Sequence, residues 1–227
     1  MKVLNKTLSW SHNPEVEGTY IIRIRNHKLS EQMAKRCMDS CEKVGQKAQY
    51  WDAFDGTGNM MQGIVVPPHA QDKTWLPWLK QINHELTPQE VCCLLSHFSL
   101  WCRCIELDRP IVALEHDAVM LQQFTQHMAI NSIVYLGCQE MVRSNYWSII
   151  PPHAQLNKDY RHLLRTHAYS IDPSAAKNLV SHIIERGIHT SADCMMSLNR
   201  CSFLCFGIYA MDVPGQTTIP ELRKTKE

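Results

Sequence analysis

TPQEVCCLLSHFSLWCRCIELDRPIVALEHD, residues 87–117, sets a helix, a strand and a polar tip in immediate succession. Thr87 can cap the helix, Pro88 suits its first position, and Glu90 can return a hydrogen bond to the cap. Behind them Val91, Leu94, Leu95, Phe98, Trp101, Cys102 and Ile105 recur at helical spacing. Asp108-Arg109-Pro110 ends the run, because proline cannot continue a helix. Residues 111–114 (IVAL) then form an unbroken apolar segment, as expected of a strand covered on both faces. Glu115-His116-Asp117 follows at once.

The same alternation extends in both directions. Upstream, residues 19–26 (TYIIRIRN) combine β-branched and aromatic residues and read as a buried strand. The spacing of Met33, Cys37, Cys41 and Val44 predicts a helix capped by Ser30 and closed by Gly45. A second strand at 48–54 runs into the turn signal Asp55-Gly56. Residues 57–85 carry Trp75 and Trp78 among glycines and prolines and read as a long loop, a binding segment or plain filler. Downstream, strands are expected at 132–136, 146–150, 167–171 and 204–210. Asp172-Pro173 should cap a helix with the stripe Ala176, Leu179, Val180, Ile183 and Ile184, closed by Gly187. Residues 1–18 read as an irregular lead-in and the charged stretch from 219 as a tail. The pattern implies one α/β domain with a mainly parallel central sheet flanked by helices. In such sheets ligands bind beyond the carboxyl ends of strands, which points to Asp55-Gly56 and to Glu115-His116-Asp117.

Composition agrees with a packed domain. Of 227 residues, 44% are apolar and 20% charged, and 23 basic side chains balance 22 acidic ones. A surface dominated by phosphate contacts is not expected at that balance. No run approaches the ~18 apolar residues of a membrane helix, and the first residues lack the apolar core of a secretory signal. The expectation is a cytoplasmic chain. Its 10 cysteines include no Cys-x-x-Cys pair, so a zinc ribbon has no support and the thiols read as structural.

Glu115 and Asp117, two carboxylates at i and i+2 past a buried strand, can converge on one hard cation such as Mg²⁺ or Mn²⁺ when the backbone turns. His116 between them adds a borderline ligand or a hydrogen-bonding neighbour. A solvated turn explains the same three residues.

Taken in order, the segments resemble glycosyltransferase family 25. TYIIRIRNHKLSEQMAKRC resembles the family's first motif, and WDAFDG its Ala-x-Asp-Gly element. LTPQEVCCLLSHFSLW is similar to its Glu-containing helix with a Ser-His pair, here Glu90, Ser96 and His97. PIVALEHDAVML matches the apolar strand ending in acidic residues, where the family shows Glu-Asp-Asp and this chain Glu115-His116-Asp117. SIVYLG, THAYSIDPSAAKNL and Ala192-Asp193 follow in family order, so the resemblance spans roughly residues 19–216, within a domain drawn at 19–218. It implies a GT-A type, Rossmann-like fold, a nucleotide-sugar donor (a UDP-sugar first), and inversion at the anomeric carbon assisted by Mn²⁺ or Mg²⁺. Carried over residue by residue, it implies metal binding by Asp117, Glu115 and His116. Donor contacts would come from Arg23, Arg25, Asp55, Gly56, Glu90, Ser96, His97 and Glu115. Asp193 would be the catalytic base. Each has a structural reading beside it: a strand edge for the arginines, a turn for Asp55 and Gly56, core for His97, a helix cap for Asp193.

Three functions fit these implications. One is sugar transfer to a saccharide acceptor, as in lipopolysaccharide biosynthesis. Another is the same chemistry on a hydroxylated protein side chain or a hydroxymethylated base of viral DNA, so that nucleic acid would enter only as acceptor. The third is a non-catalytic relative that binds a nucleotide or a partner.

Overall fold

The computed structural model describes residues 3–9, 13–56, 66–71, 85–137, 166–197, 199–204 and 207–213. The strand expected at 146–150, the tail from 219, and Trp75 and Trp78 lie outside them. In chain order the elements are β1 (Gly18–Arg23), α1 (Lys28–Lys43), β2 (Ala48–Asp52), α2 (Pro88–Leu107), β3 (Ile111–Glu115), β4 (Ala118–Met120) and β5 (Ser132–Tyr135). β6 (Ala168–Ile171), α3 (Pro173–Arg186), α4 (Ala192–Met195), β7 (Ser202–Leu204) and β8 (Ala210–Asp212) follow, and a 3-10 turn covers Pro68–Ala70.

Six strands form one sheet in the order β2-β1-β3-β6-β5-β7, and β4 and β8 form a separate ribbon. β2, β1 and β3 are parallel, as are β5 and β7, whereas β6 runs against both its neighbours. The mixed α/β sheet is therefore mainly parallel with one reversed strand. That reversal positions the site. Leu114 pairs with Ala168 and Ile111 with Ile171, so β6 begins at the rim where β3 ends.

Alternating side chains divide the core between the two faces of the sheet. Ile21, Val112, Leu114 and Val134 pack with Ala34, Cys37 and Cys41 of α1. Tyr20, Ile22, Ile111, Ala113, Ile133 and Tyr169 face α2 and α3. α2 packs against both the sheet and α3, which is why even Ser96, His97 and Ser99 are buried in it.

Local signals hold where the cap chemistry is unambiguous. Thr87 accepts from Glu90 N and the Glu90 carboxylate accepts from Thr87 N at 2.9 Å, the expected capping box. Asp172 caps α3 through Ser174 N and Ala175 N, and Gly187, at φ 80, ends it. Two expectations are corrected. α1 starts before Ser30, with His27 as its cap, because His27 Nδ1 accepts from Ser30 N at 3.3 Å. The Ser30 hydroxyl is diverted to accept from Ile24 N at 2.9 Å. Residues 204–210 are not one strand: β7 ends at Leu204 and β8 begins at Ala210, where it pairs with β4, an element the acidic triplet concealed.

Candidate active site

A cleft opens at the carboxyl ends of β1, β2 and β3. It is lined by Ile24, Phe54, Gly56, Cys93, Ser96, His97, Glu115, His116 and Asp117, among others. The rule that ligands bind beyond strand ends in parallel sheets thus selects both polar tips read from the sequence.

Glu115 ends β3 and is the hub of the polar network. Trp101 Nε1, which can only donate, gives its hydrogen to Tyr169 Oη at 2.9 Å. Tyr169 Oη also meets His97 Nδ1 at 2.8 Å. On the other side of the ring, His97 Nε2 donates to Glu115 Oε1 at 3.1 Å. Thr166, at the start of reversed β6, donates to the same Glu115 oxygen at 2.5 Å and lies 3.0 Å from Asp193 Oδ1. Burial pushes the Glu115 carboxyl up, but hydrogen bonds from His97 and Thr166 outweigh it and hold the group below the ordinary carboxylate range.

Asp117 has the opposite environment. Burial, then repulsion from Glu115, push its carboxyl up to about 7, and its Oδ1 is buried with no hydrogen-bond partner among the described residues. An ionised Glu115 beside a carboxyl group with one buried oxygen lacking a partner among the described residues is a deficit of positive charge. A bound cation would remove it. His116 turns aside: its Nδ1 meets Ser30 Oγ at 2.9 Å, pinning the acidic turn to the first turn of α1, and burial lowers its pKa.

Removing the Tyr169 hydroxyl strands two buried groups, Trp101 Nε1–H and His97 Nδ1. Tyr169→Phe is expected to lose about 1–3 kcal/mol of stability, read as a lower denaturant midpoint at unchanged m. An unchanged midpoint would show that this chain of hydrogen bonds contributes nothing.

Among the residues carried over by resemblance, His97, Ser96, Gly56, Glu115, His116 and Asp117 line the cleft, and Asp193 is tied to it through Thr166. The others have visible structural work. Arg23 pairs with Asp52 at 3.1 Å and lies 4.1 Å over the Tyr50 ring. Arg25 reaches Asp52 at 3.7 Å. Glu90 serves the capping box, and Ser96 Oγ donates to Cys92 O at 2.7 Å while accepting from Phe54 N. Gly56 has a packing reason: a Cβ there would lie 2.7 Å from the Pro88 carbonyl oxygen. Asp55 flanks the lining residues Phe54 and Gly56.

The metal reading of the triplet finds a different grouping. Among the described residues, Cys93, His97 and Glu115 bring ligand atoms within 4.8 Å of one another, and Asp117 and His116 stand outside that group. Cys93 and Thr166 were not among the sequence candidates. Cys93 had a signal, the i,i+4 spacing to His97; Thr166 opens the THAYSIDPSAAKNL segment, but only the reversal of β6 brings it to the rim.

The model of glycosyltransferase family 25 (LPS biosynthesis protein) matches residues 18–196, from β1 through α4, and so includes every residue of this network. The chain belongs to glycosyltransferase family 25. No curated protein matches it. A family 25 glycosyltransferase needs a sugar donor and an acceptor. No helix among the described residues is long and apolar enough to cross a membrane.

Proposed function

We propose that this protein transfers a sugar from a nucleotide-diphosphate donor, a UDP-sugar in the first instance, to an acceptor hydroxyl with inversion at the anomeric carbon. The observation that carries the reading is Asp117, whose buried, partnerless oxygen faces repulsion from Glu115 at the tip of β3. A GT-A assignment is supported by the parallel β2, β1 and β3 and by the reversed β6 beside the acidic tip. The family's description as an LPS biosynthesis protein supports a saccharide acceptor. Free thiols at every described cysteine support a reducing, cytoplasmic setting.

The residues present fit a divalent ion with hard oxygen preference, Mn²⁺ or Mg²⁺. Asp117 and Glu115 would hold it, and it would supply positive charge opposite the departing diphosphate. His116 serves this reading as an anchor of the turn rather than as a ligand. On the acceptor side, Asp193 takes the proton as the hydroxyl oxygen bonds to the anomeric carbon and the bond to the diphosphate breaks. Thr166 holds Asp193 and Glu115 in fixed relation, so the base and the donor end of the cleft move as one unit.

A donor that binds only the folded state raises apparent stability, by about 2.7 kcal/mol at one hundred times its Kd. A thermal-shift screen of nucleotide sugars with Mn²⁺ is expected to select a uridine diphosphate sugar. No shift with any nucleotide sugar overturns the donor assignment.

A further inference from the structure

The proposed transfer leaves Cys93 of the cleft wall unused and draws on Glu115 from the other side. Cys93 and His97 stand one helical turn apart on α2, so both side chains project from the same face of the helix. Across from them, Glu115 ends β3. Cys93 Sγ, a His97 ring nitrogen and a Glu115 carboxylate oxygen all lie within 4.8 Å of one another. His97 Nε2 and Glu115 Oε1, at 3.1 Å, are already near the roughly 3.4 Å that separates two ligands of a tetrahedral ion with bonds of about 2.1 Å.

We propose that Cys93, His97 and Glu115 form a Zn²⁺ site, with three protein ligands and a fourth position open to the cleft. A thiolate, an imidazole and a carboxylate suit a borderline ion, whereas Mg²⁺ and Mn²⁺ prefer an all-oxygen set. The surroundings supply the supports that such a site needs. Tyr169 Oη, itself fixed by Trp101 Nε1, sits against His97 Nδ1 and orients the ring so that Nε2 faces Glu115. Thr166 also fixes the Glu115 carboxylate, through the same oxygen.

The binding step balances simply. Zn²⁺ replaces the thiol proton of Cys93, which leaves to solvent, and forms the bond to sulfur. His97 binds as the tautomer that carries its hydrogen on Nδ1, donated to Tyr169 Oη. The hydrogen bond from His97 to Glu115 is given up, and each of those two atoms bonds to the ion instead. Ion and hydrogen bond are thus mutually exclusive occupants of the same space.

The test uses the full chain freed of metal by a chelator and titrated with Co²⁺, whose bond to a thiolate gives a charge-transfer absorption band. The expected result is one Co²⁺ per chain showing that band, displaced by Zn²⁺. In Cys93→Ser the band disappears, and in His97→Gln the Kd for Zn²⁺ rises by about ten-fold or more. Absence of the band from the native chain, or its persistence in Cys93→Ser, overturns the proposal. A measurement without any variant guards against misfolding: Zn²⁺ is expected to slow alkylation of Cys93 by about ten-fold or more, with Cys194, the other half-buried described cysteine, unaffected. Equal rates at Cys93 with and without Zn²⁺ also overturn it. None of these readouts depends on sugar transfer, so the site stands or falls separately from the proposed activity.

Discussion

Asp193→Asn is expected to lower kcat for sugar transfer by about 10²–10⁴-fold, the loss that follows removal of a general base. The side chain sits in the first turn of α4 and its Oδ1 lies 3.0 Å from Thr166 Oγ1. An amide keeps that size and can donate to Thr166 Oγ1, so the local fold should persist while the proton acceptor is lost. Donor binding, seen as thermal stabilisation by the nucleotide sugar, should be nearly unchanged, because Asp193 is placed on the acceptor side. Thr166→Val makes a useful contrast: it removes the linking hydroxyl without touching a carboxylate, and should keep a larger share of kcat. Full activity in Asp193→Asn would move the base elsewhere and leave Asp193 as part of the Thr166 network alone.

Asp117→Asn should cut transfer by about 10²–10³-fold, the scale of losing one electrostatic contact to the transition state, and should abolish Mn²⁺-dependent donor stabilisation. Its effect on the metal-free fold has the opposite sign. The Asp117 carboxyl is pushed up to about 7 by burial and by Glu115. A group whose folded pKa lies above its unfolded value costs stability increasingly as the pH rises between the two values, and fully above the folded one. Asparagine carries no such cost. Without metal, Asp117→Asn should therefore melt higher than the parent chain at about pH 8, with the advantage shrinking towards about pH 4. A variant that binds donor normally would detach the diphosphate from this turn. One that is destabilised at both pH values would show that the carboxylate has a partner essential to the fold.

Some of this protein was legible from short-range chemistry alone. Thr87 and Glu90 announced the start of α2, and Asp172 and Gly187 bracketed α3, because caps and positive-φ glycines act within one turn of chain. The apolar run at Ile111–Glu115 and its acidic end marked the rim of the sheet. Other features depended on partners far along the chain. Arg23 and Arg25 looked available for phosphate, yet Asp52 occupies both. Gly56 suggested an approach by ligand, yet the neighbour that requires glycine is Pro88. Ser30 was a plausible cap until Ile24 N and His116 claimed its hydroxyl.

By itself the sequence determined the family, the succession from β1 to β3 with β5, β6 and α3, and the acidic tip of β3, since each is written in residues adjacent or nearly so. The tertiary structure alone decided the direction of β6, because a strand buried on both faces has the same pattern whichever way it runs. From that direction followed the placing of Thr166 between Glu115 and Asp193, residues separated by 51 and 27 positions. It likewise set Cys93 and His97 opposite Glu115, a juxtaposition that depends on how α2 lies across the sheet rather than on any run of neighbouring residues.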